Sequence, residues 1–167
     1  PAVMQTVLDI NHTQREDLVR LMAGMPGGIG NTGFECGGIT SPLVLLGLRH
    51  GLRDVENGLP RIFDLGHRYY QRFCEVNAAP FCKVIQNPRF PVRCIHAVRH
   101  SPELLAETIE SDHHPAIPAE QREAYCCLYG HMKQCNFHCA HAVFQHLGDA
   151  IPLDQELLDA TSAFMGG

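Results

Sequence analysis

The sequence predicts an all-α protein, an orthogonal helical bundle of about seven to eight helices with a glycine-rich turn. Apolar residues recur at three and four along most of the chain, no β-branched run alternates at period two, and turn and capping signals separate segments of helical length. Residues 2–9 read as the end of one helix. Thr13-Gln14-Arg15-Glu16 reads as a capping box, its hydroxyl and carboxylate satisfying free amides of a second helix that runs to about Met25. Pro26-Gly27-Gly28 ends that helix, and Gly28 to Gly33 is a flexible turn feeding Phe34-Glu35-Cys36.

Ser41-Pro42 reads as the next start, a hydroxyl cap followed by proline at the first helical position, and the apolar helix behind it reaches about His50. Leu59 to Asn77 is a longer amphipathic helix with Ile62, Leu65 or Gly66, Tyr69, Tyr70 and Phe73 on its apolar stripe. Pro80 restarts a shorter helix through Ile85, and Asn87-Pro88-Arg89-Phe90-Pro91 is a loop. Arg93 to Val98 is a short helix, and Ser101-Pro102-Glu103 caps another that runs to about Ile109. Ser111 to Pro118 cannot continue a helix and reads as a linker, followed by one long helix over 119–147 and a last one into Phe164.

Ala2-Val3-Met4-Gln5 returns as Ala142-Val143-Phe144-Gln145, and Gly27-Gly28 as Gly166-Gly167. The chain therefore reads as a cysteine-rich helical domain over 1–110, a linker over 111–118 and the first helices of a second, incomplete copy over 119–167. In this overlay the position matching Cys139 falls before Pro1, so the first copy lacks its leading cysteine.

At 167 residues the chain can bury about 70% of its unfolded surface as an ordinary core, so neither disulfides nor a metal are needed merely to hold it together. Eight Cys and 11 His, in a chain with no Trp, are thus the compositional outlier. A net charge of -5 with no Lys/Arg cluster gives no footprint for nucleic acid. The longest apolar run, Pro42 to Leu48, is far short of the roughly 20 residues that cross a bilayer. Thiols inside helical segments fit a reducing compartment, and a cytoplasmic location is expected.

Gly28-Ile29-Gly30-Asn31-Thr32-Gly33 matches G-x-G-x-x-G, but a helix rather than a strand precedes it, so it reads as permissive backbone that aims Cys36 at the mouth of the next helix. A thiol there has its thiolate favoured by free amides. Cys127, His131, Cys135 and Cys139 recur by four along one stripe, where they are either soft-metal ligands or small hydrophobes on a core face. There is no Cys-x-x-Cys, no H-E-x-x-H, no P-loop and no nucleophile elbow. Classical hydrolase and kinase chemistry are not indicated.

Asn136-Phe137-His138-Cys139-Ala140-His141-Ala142-Val143, Gly27-Gly28-Ile29-Gly30, Cys36-Gly37-Gly38-Ile39-Thr40-Ser41, Phe73 to Cys82 and then Cys94 together resemble the redox-active family named for its C-GCAxxG-C-C motif. Gly38 stands where that family often has alanine and Ser41 where it has glycine, and Phe137-His138 is an insertion before Cys139. A more distant likeness is to the corresponding domain of split-Soret cytochromes, without the Cys-x-x-Cys-His that would hold haem.

The resemblance implies redox or electron-transfer work by clustered cysteines, through a bound Fe–S cluster or Zn held by Cys36, Cys82, Cys94 and Cys139. Cys139 would complete the set within the chain or across a homodimer, and an electron-transfer protein would be the partner. Two alternatives stand beside it: a zinc-bound or metal-free structural module, and a metal-free thiol oxidoreductase working through Cys82 and Cys94.

Overall fold

A computed structural model of the chain describes residues 2–50, 55–86, 92–111 and 156, with the side chains of the second stretch described from residue 61 onward. Among these residues there are six α-helices and no strand: α1 (Ala2–Ile10), α2 (Glu16–Leu21), α3 (Gly37–His50), α4 (Val55–Asn77), α5 (Cys82–Ile85) and α6 (Val92–Glu110). A single 3-10 turn, Met22–Gly24, follows α2. The helices expected over 119–147 and into Phe164 lie outside the described residues, as does the stripe of Cys127, His131, Cys135 and Cys139. None of the described helices is long and apolar enough to cross a membrane.

The chain divides into two compact units, Pro1–Pro42 with His67–Ser111, and Leu43–Gly66 with Asp112–Gly167. In the first, α1 packs on α6 and on α2, and α5 packs on α6. The reason is legible in the burial. α1 turns Val3, Met4 and Leu8 inward, and α6 buries Ala97, Ser101, Leu104, Leu105 and Thr108, a stripe at spacings of four, three, one and three. Tyr69 and Phe73, one helical turn apart on α4, are fully buried with their rings 6.3 Å apart. Full burial of each such side chain contributes about 1.5–3 kcal/mol. In the second unit, Val44, Leu46, Ile62 and Leu65 are buried, and Leu43 lies against Gly66.

The helix starts differ from the sequence expectation in an instructive way. No capping box forms at Thr13: its hydroxyl donates back to the Asn11 carbonyl, and α2 begins at Glu16 behind Arg15, which makes no side-chain cap. Arg15 instead pairs with Asp17 at 2.6 Å, and this neighbour holds the Asp17 carboxyl below its ordinary range. Ser41-Pro42 and Ser101-Pro102 are not starts either. Each proline lies inside a helix, Pro42 in α3 and Pro102 in α6, so the expected break between Val98 and Ser101 is absent. Both serines are fully buried, and the inward stripe of α6 runs through Ser101 without interruption. Tertiary burial overrides the local signal. Tyr70, expected on the apolar stripe of α4, is exposed, whereas Ile62, Leu65, Tyr69 and Phe73 are buried as their spacing implies.

Candidate functional site

The glycine turn is built from backbone that L-residues rarely adopt. Gly27, Gly28, Gly30 and Gly33 have φ of 70°, 78°, 63° and 81°, and Ile29 and Asn31 join them at 50° and 64°. The turn is closed by its own amides, including Gly30 N–H to the Gly24 carbonyl at 2.7 Å and Gly33 N–H to Gly27 at 2.9 Å. At Gly28 a β-carbon would stand 2.5 Å from the Phe34 carbonyl oxygen and 2.8 Å from Cys82 Cβ. Glycine here is what lets the turn lie directly against the start of α5.

From the turn the chain passes along 33–36, which pairs with 80–83. Cys36 N–H donates to the Pro80 carbonyl at 2.8 Å, Cys82 N–H to Phe34 at 2.7 Å and Lys83 N–H to Gly33 at 2.9 Å, around an isolated antiparallel bridge between Glu35 and Phe81. Cys36 and Cys82 therefore sit one residue beyond the bridged pair, each on its own segment. On the outer side Phe34 and Phe81 meet edge to face, with Lys83 Nζ 5.4 Å and 5.9 Å from the two ring centres.

Cys36 caps α3, as the position of the turn led one to expect. Its carbonyl receives the Ile39 and Thr40 amides, and its Sγ accepts the Gly38 N–H at 3.4 Å. Cys82 is the first residue of α5, with its Sγ 3.7 Å from Gln86 Oε1, and Cys94 stands in the first turn of α6. Cys36 and Cys82 are buried, Cys94 is half-buried, and none of the described cysteines forms a disulfide.

Burial pushes the Cys36 thiol up to about 11, the Gly38 amide opposes that rise, and negative charge on Cys82 or Cys94 adds to it. Burial likewise raises Cys82, and Cys94 raises it further. Cys74, which lies outside the motif, is raised by burial, with the Tyr70 hydroxyl opposing. Of the four cysteines singled out from the sequence, Cys36, Cys82 and Cys94 belong to one unit; Cys139 lies outside the described residues. Among the described residues no three His, Cys, Asp or Glu side chains form a group able to hold a metal ion.

Behind Cys36, Gly38 is wedged between α4 and α6. A β-carbon there would stand 2.6 Å from Ser101 Oγ and 2.8 Å from Phe73 Cε2. Overpacking of this kind costs about 1–3 kcal/mol, whereas alanine gains about 1 kcal/mol of helix propensity over glycine. Gly38→Ala is therefore expected to lose about 1 kcal/mol net in a denaturant titration; unchanged stability would mean that Phe73 and Ser101 move aside freely. Tyr69 donates its phenolic hydrogen to the Gly38 carbonyl, and burial, first among its influences, raises the phenol well above its ordinary range.

The apolar spacing predicts Tyr69 on a core stripe but not its bond to Gly38. The signal was present: a proline four residues after Gly38 leaves that carbonyl without its helical donor.

A family model described as "Putative redox-active protein (C_GCAxxG_C_C)" matches residues 1–108. No match to the chain is found among curated proteins or among solved structures.

Proposed function

The chain belongs to the C_GCAxxG_C_C family of redox-active proteins, and from that premise we propose that it carries redox chemistry on the thiols of Cys36, Cys82 and Cys94. The supporting observation is that all three lie in one compact unit, each at or beside a helix start, with the Cys36 and Cys82 segments paired around one antiparallel bridge. Within this reading the chemistry is thiol–disulfide exchange with a disulfide-bearing partner. Cys94, the most accessible of the three, attacks as thiolate on one sulfur of the partner disulfide, forming a mixed disulfide and releasing the other sulfur as a thiolate that takes up a proton. Cys82, its proton lost to water, attacks Cys94 and expels the second partner sulfur, which is protonated in turn. One internal disulfide forms, one partner disulfide is reduced to two thiols, and two electrons pass to the partner.

Cys36 lies deeper, its thiol held protonated at neutral pH by burial, and we assign it to tuning the pair. A reducing, cytoplasmic compartment suits such a cycle.

Peptide-resolved alkylation tests this reading. After treatment with a small disulfide, Cys82 and Cys94 should both be protected, and both should become alkylated after reduction, while Cys74 labels throughout. Identical labelling before and after reduction would overturn it.

The second reading is a soft-metal centre with Cys139 as fourth donor, supported by the presence of three thiols in one compact unit. The described donors alone do not form a group able to hold an ion, so no step is drawn through a metal. Protein kept from air that shows visible charge-transfer bands and stoichiometric iron would make this the function instead.

A further inference from the structure

Pro42 stands inside α3 and has no N–H to offer the carbonyl four residues before it, that of Gly38. A buried carbonyl without a donor is costly, yet this one is satisfied: fully buried Tyr69, on α4, donates to it. The other polar group of the same residue, the Gly38 N–H, donates to Cys36 Sγ. Ser101, on α6, stands against Gly38, its Oγ 2.6 Å from where a β-carbon would lie, and gives its own hydrogen to the Ala97 carbonyl at 2.6 Å. Gly38 has no side chain to fix its orientation, so its two hydrogen bonds and the wall made by Phe73 and Ser101 set it.

We infer that Tyr69 is a positioning residue for the Cys36 thiol: its hydroxyl replaces the amide that Pro42 lacks and so holds Gly38 where its N–H meets the sulfur. The chain of contacts runs from α4 through one glycine to the cap of α3. It explains why a proline is tolerated in that turn and why a polar aromatic, rather than phenylalanine, occupies position 69. That Cys36 has a working role rests on the proposed function; the geometry does not. The test therefore reads the Gly38 amide itself, so that a lack of reversible oxidation and a lack of any Tyr69 effect are separate results.

The experiment measures hydrogen exchange and the proton shift of the Gly38 amide in the full 15N-labelled chain. Tyr69→Phe keeps the ring and its packing on Phe73 but removes the donor. The Gly38 amide should then exchange about tenfold faster, the fold-change of one lost hydrogen bond, and its proton should move upfield. Adding Pro42→Ala to that variant supplies a backbone N–H to the same carbonyl and should return both signals to near the parent values.

Unchanged Gly38 exchange in Tyr69→Phe would overturn the inference, as would a double variant that fails to recover. If Tyr69→Phe alone does not fold, Pro42→Ala is compared with and without it. There the tyrosine effect should fall below about twofold, and a persisting tenfold effect would sink the idea.

Discussion

Gly28→Ala should cost about 4–5 kcal/mol and loosen the pairing between the segments that carry Cys36 and Cys82. Two penalties combine. At φ 78° an L-residue is strained by roughly 1–2 kcal/mol. The new methyl would also press on the Phe34 backbone at 2.5 Å and 2.6 Å and on Cys82 Cβ at 2.8 Å. These atoms are pinned by the amide bonds of the ladder and cannot swing aside as the tip of a flexible side chain could, so an overpacking cost near the upper end of about 1–3 kcal/mol is expected.

Gly30→Ala provides the comparison. Its φ is 63°, but nothing lies within 4 Å of the added carbon, so only the strain of about 1–2 kcal/mol should appear. Urea midpoints of the two variants, with the alkylation rates of Cys36 and Cys82, separate crowding from strain. Equal losses for Gly28→Ala and Gly30→Ala would remove the close approach from the account.

Alkaline pH should destabilise the protein through Cys36 more than through any surface group. The folded thiol is held at about 11 against an ordinary value of 9.0, so the native state keeps a proton that the unfolded chain gives up. Stability from this group is intact below pH 9 and is lost as pH rises through 11. A shift of two units at 1.36 kcal/mol each amounts to roughly 2–3 kcal/mol. Cys82 is raised as well and adds in the same direction.

Because other groups titrate in this range, the quantity to measure is a difference. The loss of unfolding free energy between pH 8 and pH 11 should be roughly 2 kcal/mol smaller in Cys36→Ala than in the parent. Parallel pH profiles for the two proteins would show that the thiol is not held neutral by its surroundings.

Much of the helical content was legible because long periodic segments such as the α4 and α6 regions carry their own signal. The apolar spacing of Ile62, Leu65, Tyr69 and Phe73 named buried positions correctly, and the glycine run marked the turn that delivers Cys36 to a helix cap. Local capping rules failed where burial outweighed them. Ser41 and Ser101 have the chemistry of caps but lie fully buried within helices, and their prolines are carried inside α3 and α6.

The Glu35–Phe81 bridge left no trace in the sequence, since a single bridged pair has no period to detect. The cysteines could be picked out by pattern. The pairing of the Cys36 and Cys82 segments could not, because it depends on how distant stretches meet, and the crowding around Gly38 depends on Phe73 and Ser101 arriving from two other helices.

The bridge also bears on how electrons could move here. Cys36 and Cys82 are anchored by main-chain amides to Pro80 and Phe34, groups whose charge and length do not alter when a neighbouring sulfur is oxidised. In the proposed cycle that backbone framework would be common to both oxidation states, which favours a small reorganisation energy. Under that proposal Cys82 would change its sulfur partner while its main-chain anchor to Phe34 stays as it is.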